Sequence, residues 1–286
     1  VIYELWLRNF TEEGTLKAAE AKLPYLKALG VNVIELMPVQ EFSSRDSWGY
    51  DPNLYFALDK DYGTREDYKD FIDKCHEMEI AVFFDVVYNH LTDDSPLVKM
   101  YFRHCRTSLN NPWFNQIAKH PHNVNRDMNH GDEFVKLHVK QSLKYLLEEY
   151  KIDGFRFDLT KGLTQTDSGE DDAKCSQYDQ YRIDVLKGYY DAIQAANPAA
   201  VMICEHFCWD DEQRALADHG IKVWRQINSP YCQAAMGHQN DSDFSGLHTE
   251  NTQMPFGSYV SFMESHDEER MMFKAKEYGF YDSVLT

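Results

Sequence analysis

Charged side chains stand in the middle of apolar sequence at several places in this chain. In residues 152–162 (IDGFRFDLTKG), Arg156 and Asp158 lie two residues apart among Phe and Leu residues. If this segment is a strand, both charges share one face, because side chains alternate along a strand. Buried charges are costly unless they are paired or used, so the pair indicates a functional site, a structural ion pair or a strand end that reaches water.

Polar residues stand at the ends of several apolar runs, including this one. They are carboxylates, histidines, an asparagine and an arginine, and they follow four different runs: Asp85, Asn89 and His90; Arg156 and Asp158; Glu205; His266 and Asp267. Carboxyl and imidazole groups are the usual carriers of general acid–base and nucleophilic catalysis. The sequence therefore predicts a catalytic site assembled from several strand ends.

The elements that must position these residues alternate between strand and helix. Seven apolar runs rich in β-branched residues predict strands at 1–7, 31–38, 80–90, 152–160, 200–207, 221–228 and 259–267. Between them, apolar spacing of three to four residues predicts helices at 15–30, 64–79, 133–150 and 180–197. This alternation favours either an α/β barrel or a doubly wound sheet.

The positions of the polar residues distinguish these two folds. A (β/α)8 barrel (TIM barrel) collects its active site at the carboxyl ends of several strands, which is where the polar residues stand. No glycine-rich phosphate loop follows the first strand, which argues against a dinucleotide-binding fold. Only seven strands are counted, so the eighth is expected beyond Thr286, and without it two apolar sheet edges would be exposed.

Composition narrows the classes of partner. The 286 residues carry a net charge of −18, which argues against nucleic acid or an anionic membrane as the main partner and suits a neutral substrate. No apolar stretch approaches the roughly 20 residues of a membrane span. The six cysteines show no zinc-site spacing and are interpreted as ordinary thiols. Secreted, periplasmic and cytoplasmic locations all stay open.

Four short segments carry a family resemblance. DVVYNH (85–90), GFRFDLTKG (154–162), CEHF (204–207) and ESHDEE (264–269) occur in this order, each at the end of a predicted strand. Together they resemble the signatures of the α-amylase superfamily (glycoside hydrolase family 13), with most likeness to bacterial α-amylases and some to branching and debranching enzymes. The resemblance covers nearly the whole chain and implies a barrel that cleaves α-glucans.

The resemblance also implies residue roles. Asp158 matches the family's nucleophile, Glu205 its general acid/base and Asp267 its transition-state carboxylate. Residues matching substrate contacts or their supports are Tyr50, Asp85, His90, Arg156, Lys161 and His266. Retaining glycoside hydrolysis uses two carboxyl groups about 5–5.5 Å apart, which neighbouring barrel strands can supply. Arg156 is expected to lower the pKa of Asp158, and an apolar site or nearby carboxylates should keep Glu205 protonated.

The type of reaction stays open between two enzymatic alternatives and one non-enzymatic alternative. Lys161 follows the nucleophile where α-amylases commonly carry a lysine, which favours an α-1,4-glucan hydrolase of starch, glycogen or maltodextrin. A branching or transglycosylating enzyme is the second possibility, because the segment YLKALGVNVIELMPVQEF…SWGY (25–50) resembles branching and debranching enzymes as well as some bacterial amylases. Gly162 and Ser265 depart from the amylase pattern, which leaves the contacts on the leaving side and the preferred product length open. A sugar-binding or partner-binding barrel without catalysis is the third, although all three expected carboxylates are present.

A long irregular stretch interrupts the barrel pattern. Residues 92–128 resemble the small domain B of amylases, which leaves 1–91 and 129–286 as the barrel domain. A loop of this length in a compact domain is usually functional. The resemblance implies a calcium site held by Asn89 and Asp127, whose oxygens suit calcium, although plain loop residues are the competing interpretation. Among the aromatic residues of the loops, Tyr50 and Trp209 are expected to stack on sugar rings.

Overall fold

The fold is described from a computed structural model that covers residues 1–44 and 46–279. The strands are β1 (Ile2–Leu5), β2 (Val33–Leu36), β3 (Ala81–Val86), β4 (His90–Leu91), β5 (Phe102–Arg103), β6 (Arg106–Thr107), β7 (Arg126–Asp127), β8 (Gly154–Phe157), β9 (Val201–Cys204), β10 (Lys222–Gln226) and β11 (Tyr259–Phe262). Seven of them form one parallel sheet in the order β1-β2-β3-β8-β9-β10-β11. The predicted barrel scaffold is thus confirmed for seven strands.

Helices connect the sheet strands. They are α1 (Leu7–Phe10), α2 (Leu16–Glu20), α3 (Leu23–Ala28), α4 (Arg65–Glu77), α5 (Pro96–Lys99), α6 (Glu133–Tyr150), α7 (Asp172–Cys175), α8 (Gln180–Ala196), α9 (Asp210–Ala217), α10 (Asn228–Met236), α11 (Thr249–Thr252) and α12 (Met271–Tyr278). Thr64 begins α4 as predicted, because its hydroxyl accepts the Asp67 N–H and the Asp67 carboxylate accepts the Thr64 N–H. None of the described helices is long and apolar enough to cross a membrane.

Two predicted elements are divided in the structure. The helix predicted over 15–30 breaks between α2 and α3, where Pro24 stands in the first turn of α3. Proline has no N–H to bond back to the preceding turn, so it begins a new helix there. The strand predicted over 80–90 ends at Val86, and His90 belongs to the separate strand β4, which pairs antiparallel with β7.

Side-chain alternation gives the sheet two different faces. The outer face packs on the helices through residues such as Val82 and Phe84 of β3, in one large apolar core. The inner face carries a smaller cluster of Phe83, Ile203 and Trp224. Polar residues that follow on the same face must therefore lie directly above this inner cluster.

The curled sheet brings its first and last strands within side-chain reach. The Glu4 carboxylate on β1 accepts hydrogen bonds from the backbone N–H of His266, at 2.8 Å, and lies 2.8 Å from its Nδ1. Within the described residues β1 and β11 are the two edges of the sheet. The expected eighth strand falls beyond Thr286 and lies outside the described residues.

The stretch between β4 and α6 has little regular structure. It contains α5, a short hairpin of β5 and β6, and β7, which returns to pair with β4. His90 lies opposite Asp127 in that pairing. The predicted division into a barrel and a 92–128 insertion stays a prediction, with this two-stranded ladder at the base of the insertion.

Gly154 offers a test of the inner packing. A Cβ at this position would lie 2.6 Å from the Val201 carbonyl oxygen and 2.9 Å from Phe83 Cε1. We expect Gly154→Ala in the full-length protein to lower the free energy of unfolding by roughly 1–3 kcal/mol, because the added methyl overpacks the inner face. Urea unfolding measures this.

The matched control is Gly188→Ala in α8. Its Cβ would meet only the end of Lys140, at 3.5 Å. Alanine is favoured over glycine inside a helix by about 1 kcal/mol, so this variant should be neutral or more stable. Equal effects of the two substitutions would show that the inner face has room to spare.

Candidate active site

The sheet brings the predicted catalytic residues together at the carboxyl ends of its strands. Asp85 on β3 lies opposite Arg156 on β8, and Arg156 lies opposite Ile203 on β9. Asp158 and Glu205 each come two residues further along, so alternation places them on the same inner face. The side chains of all four charged residues are buried or nearly so. Their convergence follows from the parallel register.

The guanidinium of Arg156 is the centre of this cluster. Its Nη1 donates to both carboxylate oxygens of Asp85, at 3.0 Å each, and to Oδ1 of Asp158 at 3.0 Å. Its Nη2 lies 3.2 Å from Oε2 of Glu205. The ring of Trp224 lies against the same group, with its centroid 4.1 Å from the guanidinium carbon. One positive charge therefore holds three carboxylates in place.

Burial outweighs this positive charge at Asp158. Desolvation raises the pKa of Asp158 well above its usual range; Arg156 opposes the shift, while the charges of Glu205 and Asp85 add to it. The pKa of Asp85 is likewise raised to about 6, mainly by burial. Arg156 therefore lowers the Asp158 pKa as expected, but the net shift is upward, because Arg156 is shared among three carboxylates and cannot offset the desolvation of each one.

Two further carboxyl groups line the inner face, and the sequence reasoning missed both. Glu35 on β2 is fully buried, and burial raises its pKa to about 8, with the Asp85 charge adding to the shift. Glu4 lies opposite Glu35 in the β1–β2 pairing. Each stands inside an apolar strand, in IYEL and VIEL, which is the same signal that drew attention to Arg156.

Tyr50 and His266 form a stacked pair at the rim of the cluster. Their ring centroids are 4.6 Å apart at an interplanar angle of 23°. The Tyr50 hydroxyl donates to Asp85 Oδ2 at 2.7 Å and lies 3.2 Å from His266 Nδ1. Burial lowers the pKa of His266, but its hydrogen bond and ion pair with Glu4 outweigh that effect and raise the pKa overall. The pair joins Asp85 to the Glu4 edge of the sheet.

His90 and Lys161 are placed near the cluster but are engaged elsewhere. His90 is buried, and its Nε2 lies 2.8 Å from the Tyr50 carbonyl oxygen. Lys161 donates to Asp172 Oδ1 at 2.8 Å, although most of its own side chain is buried. A sugar contact by Lys161 would require exchange of this partner.

Asp267 is the one predicted catalytic residue that stands apart. Its side chain is 58% exposed, and its Oδ1 lies 3.4 Å from Nε2 of His266. Among the described residues, Arg156 pairs with Asp85, Asp158 and Glu205, and Asp267 makes no ion pair with it. The neighbouring His266 nevertheless ties this part of the chain to the site.

The predicted calcium ligands lie at the base of the insertion. The Met128 N–H donates to the Asn89 carbonyl at 3.0 Å, which sets Asn89 beside Asp127. The Asn89 Oδ1 atom is buried and has no hydrogen-bond partner in the described part of the chain. A Cβ on Gly162 would come within 2.0 Å of this oxygen, so glycine is needed there.

Asp127 itself is already satisfied by nitrogen groups. Its Oδ1 lies 2.9 Å from His120 Nε2, and its Oδ2 accepts from Asn115 Nδ2 at 2.7 Å. Calcium binds oxygen ligands, so the free Asn89 oxygen fits it, whereas Asp127 fits only if it exchanges one of these partners. The Asn89 oxygen therefore fits a calcium ion as it stands, whereas Asp127 fits only after it gives up a hydrogen bond.

Comparison with known proteins supports one family. The model of the α-amylase catalytic domain matches residues 8–126. A malto-oligosyltrehalose trehalohydrolase of Rhizobium sp. (strain M-11) is 37% identical over 163 residues, which are 57% of this chain and 26% of the relative. A 1,4-alpha-glucan branching enzyme of Saccharophagus degradans is 28% identical over 93% of this chain and 39% of the relative. The chain thus spans about a quarter of the length of the trehalohydrolase.

Solved structures of low sequence identity show the same fold. Pullulanase from Anoxybacillus sp. LM18-11, complexed with maltotriose, aligns with a TM-score of 0.77 at 22% identity, over 97% of this chain and 45% of that one. An alpha-amylase from H. orenii aligns with a TM-score of 0.73 at 20% identity, over 97% and 63%. With the four signatures on the strand ends, these likenesses lead to one conclusion: the chain is similar to the α-amylase catalytic domain over residues 8–126, and it shares the fold of these solved structures over nearly its whole length.

Proposed function

We propose that the protein is a retaining glycoside hydrolase that cleaves α-1,4-glucosidic bonds of starch, glycogen or maltodextrin. The observation that carries this proposal is the placement of Asp158 and Glu205 on adjacent nitrogens of one buried guanidinium, at the open end of the sheet. Retaining hydrolysis needs two carboxyl groups that flank the scissile bond, one to attack the anomeric carbon and one to protonate the glycosidic oxygen. The contact of both carboxyl groups with one guanidinium supports this pairing of roles.

The proposed reaction has two steps. Asp158 attacks the anomeric carbon while Glu205 gives its proton to the glycosidic oxygen, so the bond to the leaving chain breaks and a glycosyl ester forms. Glu205 then takes a proton from water, which attacks the same carbon and releases Asp158. Two inversions return the α configuration, and both carboxyl groups end as they began.

The other residue roles are proposals of the same kind. Asp267 would stabilise the positive charge that develops on the sugar ring, which requires its exposed side chain to turn toward Asp158 when a sugar binds. Tyr50, His90 and His266 would contact the sugar at the cleavage point. Lys161 would contact the next unit on the leaving side.

A glucan transferase is the second candidate function. The branching-enzyme relative that aligns over 93% of the chain favours it. The first step would be identical, and a sugar hydroxyl would replace water in the second. The Lys161 position favours hydrolysis only weakly, because the lysine is paired with Asp172.

Product analysis separates these candidates. We expect the full-length protein, incubated with amylose, to release shorter chains in the α configuration and new reducing ends, without new α-1,6 branches. NMR of the products measures both properties. New α-1,6 branches without a matching rise in reducing ends would contradict the hydrolase and support the transferase.

The nucleophile variant is the control for both outcomes. Asp158→Asn removes the attacking carboxylate but keeps the size of the side chain, so cleavage should fall by at least about a thousandfold. If this variant keeps a tenth of the wild-type rate, Asp158 is not the nucleophile. Absence of any reaction with amylose or maltodextrin in the wild type would favour a binding protein.

The raised pKa of Asp158 predicts a pH dependence. The nucleophile must be ionised, so kcat/KM should be lost, as the pH falls, well above the pH of about 4 at which an ordinary aspartate takes up its proton. Asp85→Asn removes a charge that raises the Asp158 pKa, so its acidic limb should move to lower pH. Measurement of kcat/KM against pH for both proteins tests this.

A buried aspartate away from the site is the control for that shift. Asp59 is buried, and burial raises its pKa as well. Asp59→Asn should leave the acidic limb where it is. An acidic limb that stays in place in Asp85→Asn would contradict the coupling between Asp85 and Asp158.

Calcium is the cofactor that we propose, held by the oxygens of Asn89 and Asp127. The free buried Asn89 Oδ1 supports it, and the hydrogen bonds already made by Asp127 count against it. When bound, the ion would supply fixed positive charge between β3 and the insertion. Asn89 and Asp127 themselves join the two segments in either case.

Thermal unfolding tests calcium without any assay of activity. Calcium at 100 times its Kd should stabilise the chelator-treated protein by about 2.7 kcal/mol, because it binds only the folded state. The calcium-dependent rise in Tm should vanish in Asp127→Asn, which lacks the charged ligand. An unchanged Tm in the wild type would contradict calcium binding at this site.

A further inference from the structure

A buried chain of hydrogen bonds begins at the backbone carbonyl of Glu205. The Thr160 hydroxyl donates to the Glu205 carbonyl oxygen at 2.6 Å and lies 2.9 Å from His206 Nδ1. His206 Nε2 lies 2.9 Å from Glu212 Oε1, which also accepts from Arg182 Nε at 2.6 Å. We call Thr160, Arg182, His206 and Glu212 the Arg182 network. All four side chains are buried.

The network holds the turn that follows the nucleophile. Leu159 has a φ of 45°, in the left-handed region that costs a branched residue roughly 1 kcal/mol or more. This conformation aims the Leu159 N–H at Glu205 Oε2, 2.8 Å away, while the Thr160 N–H donates to the Glu205 carbonyl at 3.1 Å. Such a turn persists only if its surroundings hold it.

Arg182 anchors the turn from its other end. Its Nη1 donates to the carbonyl oxygens of Lys161, at 2.9 Å, and of Cys175, at 3.0 Å. The Glu212 carboxylate in turn accepts the Asp179 N–H, at 2.7 Å, at the start of α8. The ion pair is therefore used to fasten backbone segments. A change at His206 or Thr160 would remove one of two connections between the turn and this ion pair and would leave the Arg182–Lys161 bond as the other.

A metal site is the competing interpretation of the same residues. The ligand atoms of His206, Cys208 and Glu212 lie within 4.8 Å of one another. However, Arg182 Nη2 donates to Glu212 Oε2 at 2.8 Å, so both carboxylate oxygens already face a guanidinium. Burial raises the pKa of the Cys208 thiol, which disfavours the thiolate that a metal needs. The arrangement is that of a hydrogen-bond network.

We propose that Thr160 and His206 are positioning residues that hold the Glu205 carboxyl group for proton transfer, by fixing the Leu159–Thr160 turn against it. This inference rests on the proposed function and concerns only the acid/base step. A small misplacement of an acid/base group can cost up to about a hundredfold in rate. The loss should fall on substrates whose leaving oxygen needs a proton.

Paired substrates and a hydroxyl deletion test the proposal. In the full-length protein, Thr160→Val keeps the shape of the side chain and removes its hydroxyl, while Thr160→Ser restores the hydroxyl. Thr160→Val should lower kcat/KM about tenfold or more on maltodextrin and less than about threefold on α-maltosyl fluoride, because fluoride leaves without strong protonation. Thr160→Ser should stay near the wild type.

The pH profile supplies a second measurement. Release of the turn removes the Leu159 N–H from the ionised Glu205 carboxylate. The basic limb of kcat/KM should then move to higher pH in Thr160→Val and in His206→Phe. Glu205→Gln gives the reference pattern for complete loss of the acid.

Tyr68→Phe is the matched control. It also deletes one buried hydroxyl that donates to a backbone carbonyl, that of Asp59 at 2.9 Å, at a place that touches none of the carboxylates of the site. It should lower Tm about as much as Thr160→Val without moving the pH profile or the substrate ratio. Equal losses of Thr160→Val on both substrates, with an unmoved basic limb, overturn the positioning role.

The remaining outcomes are equally decisive. Zinc that raises the Tm of the wild type, but not that of His206→Phe, would assign the network to a metal and overturn the inference. A wild type that acts on neither substrate contradicts the proposed function and removes the inference with it. An active wild type with an unselective Thr160→Val overturns the inference alone.

Discussion

The burial of one guanidinium among several carboxylates is the constraint on which the rest of the site depends. Arg156 has no exposed surface, and its three acidic partners come from three neighbouring strands. Removing Arg156 would leave several negative charges buried with no counter-charge, which is among the costliest changes a protein interior can undergo. The register of β3, β8 and β9 places the cluster and is in turn held together by it.

Carboxyl groups outnumber the positive charge around Arg156, which contributes to the raised pKa values of Asp158 and Glu35. Three carboxylates share one cation, and Glu4 and Glu35 add two further acidic groups on the inner face. Burial raises the pKa values of Asp85, Asp158 and Glu35, so each of these groups takes up a proton at a higher pH than an exposed carboxyl group does.

The sequence predicted which residues lie at the strand ends better than it predicted the pKa values of those residues. Alternation within IDGFRFDLT correctly placed Arg156 and Asp158 on one face, because period and polarity are local properties. The effect of Arg156 on the Asp158 pKa was predicted correctly, but the net direction was not, since it depends on burial and on how many carboxylates share the arginine. Glu35 was overlooked although VIEL carries the same signal as the β8 segment. The break before Pro24 and the exposure of Asp267 depend on tertiary packing that apolar spacing does not report.

The contact between Glu4 and His266 can form only late in synthesis of the chain. These residues are 262 positions apart, yet they close the rim of the cleft together. A ribosome adds about 5–20 residues each second, so the first strand waits many seconds for its partner to emerge. Contacts of such long range also slow folding, and the finished cleft is expected to be a late event on the folding pathway.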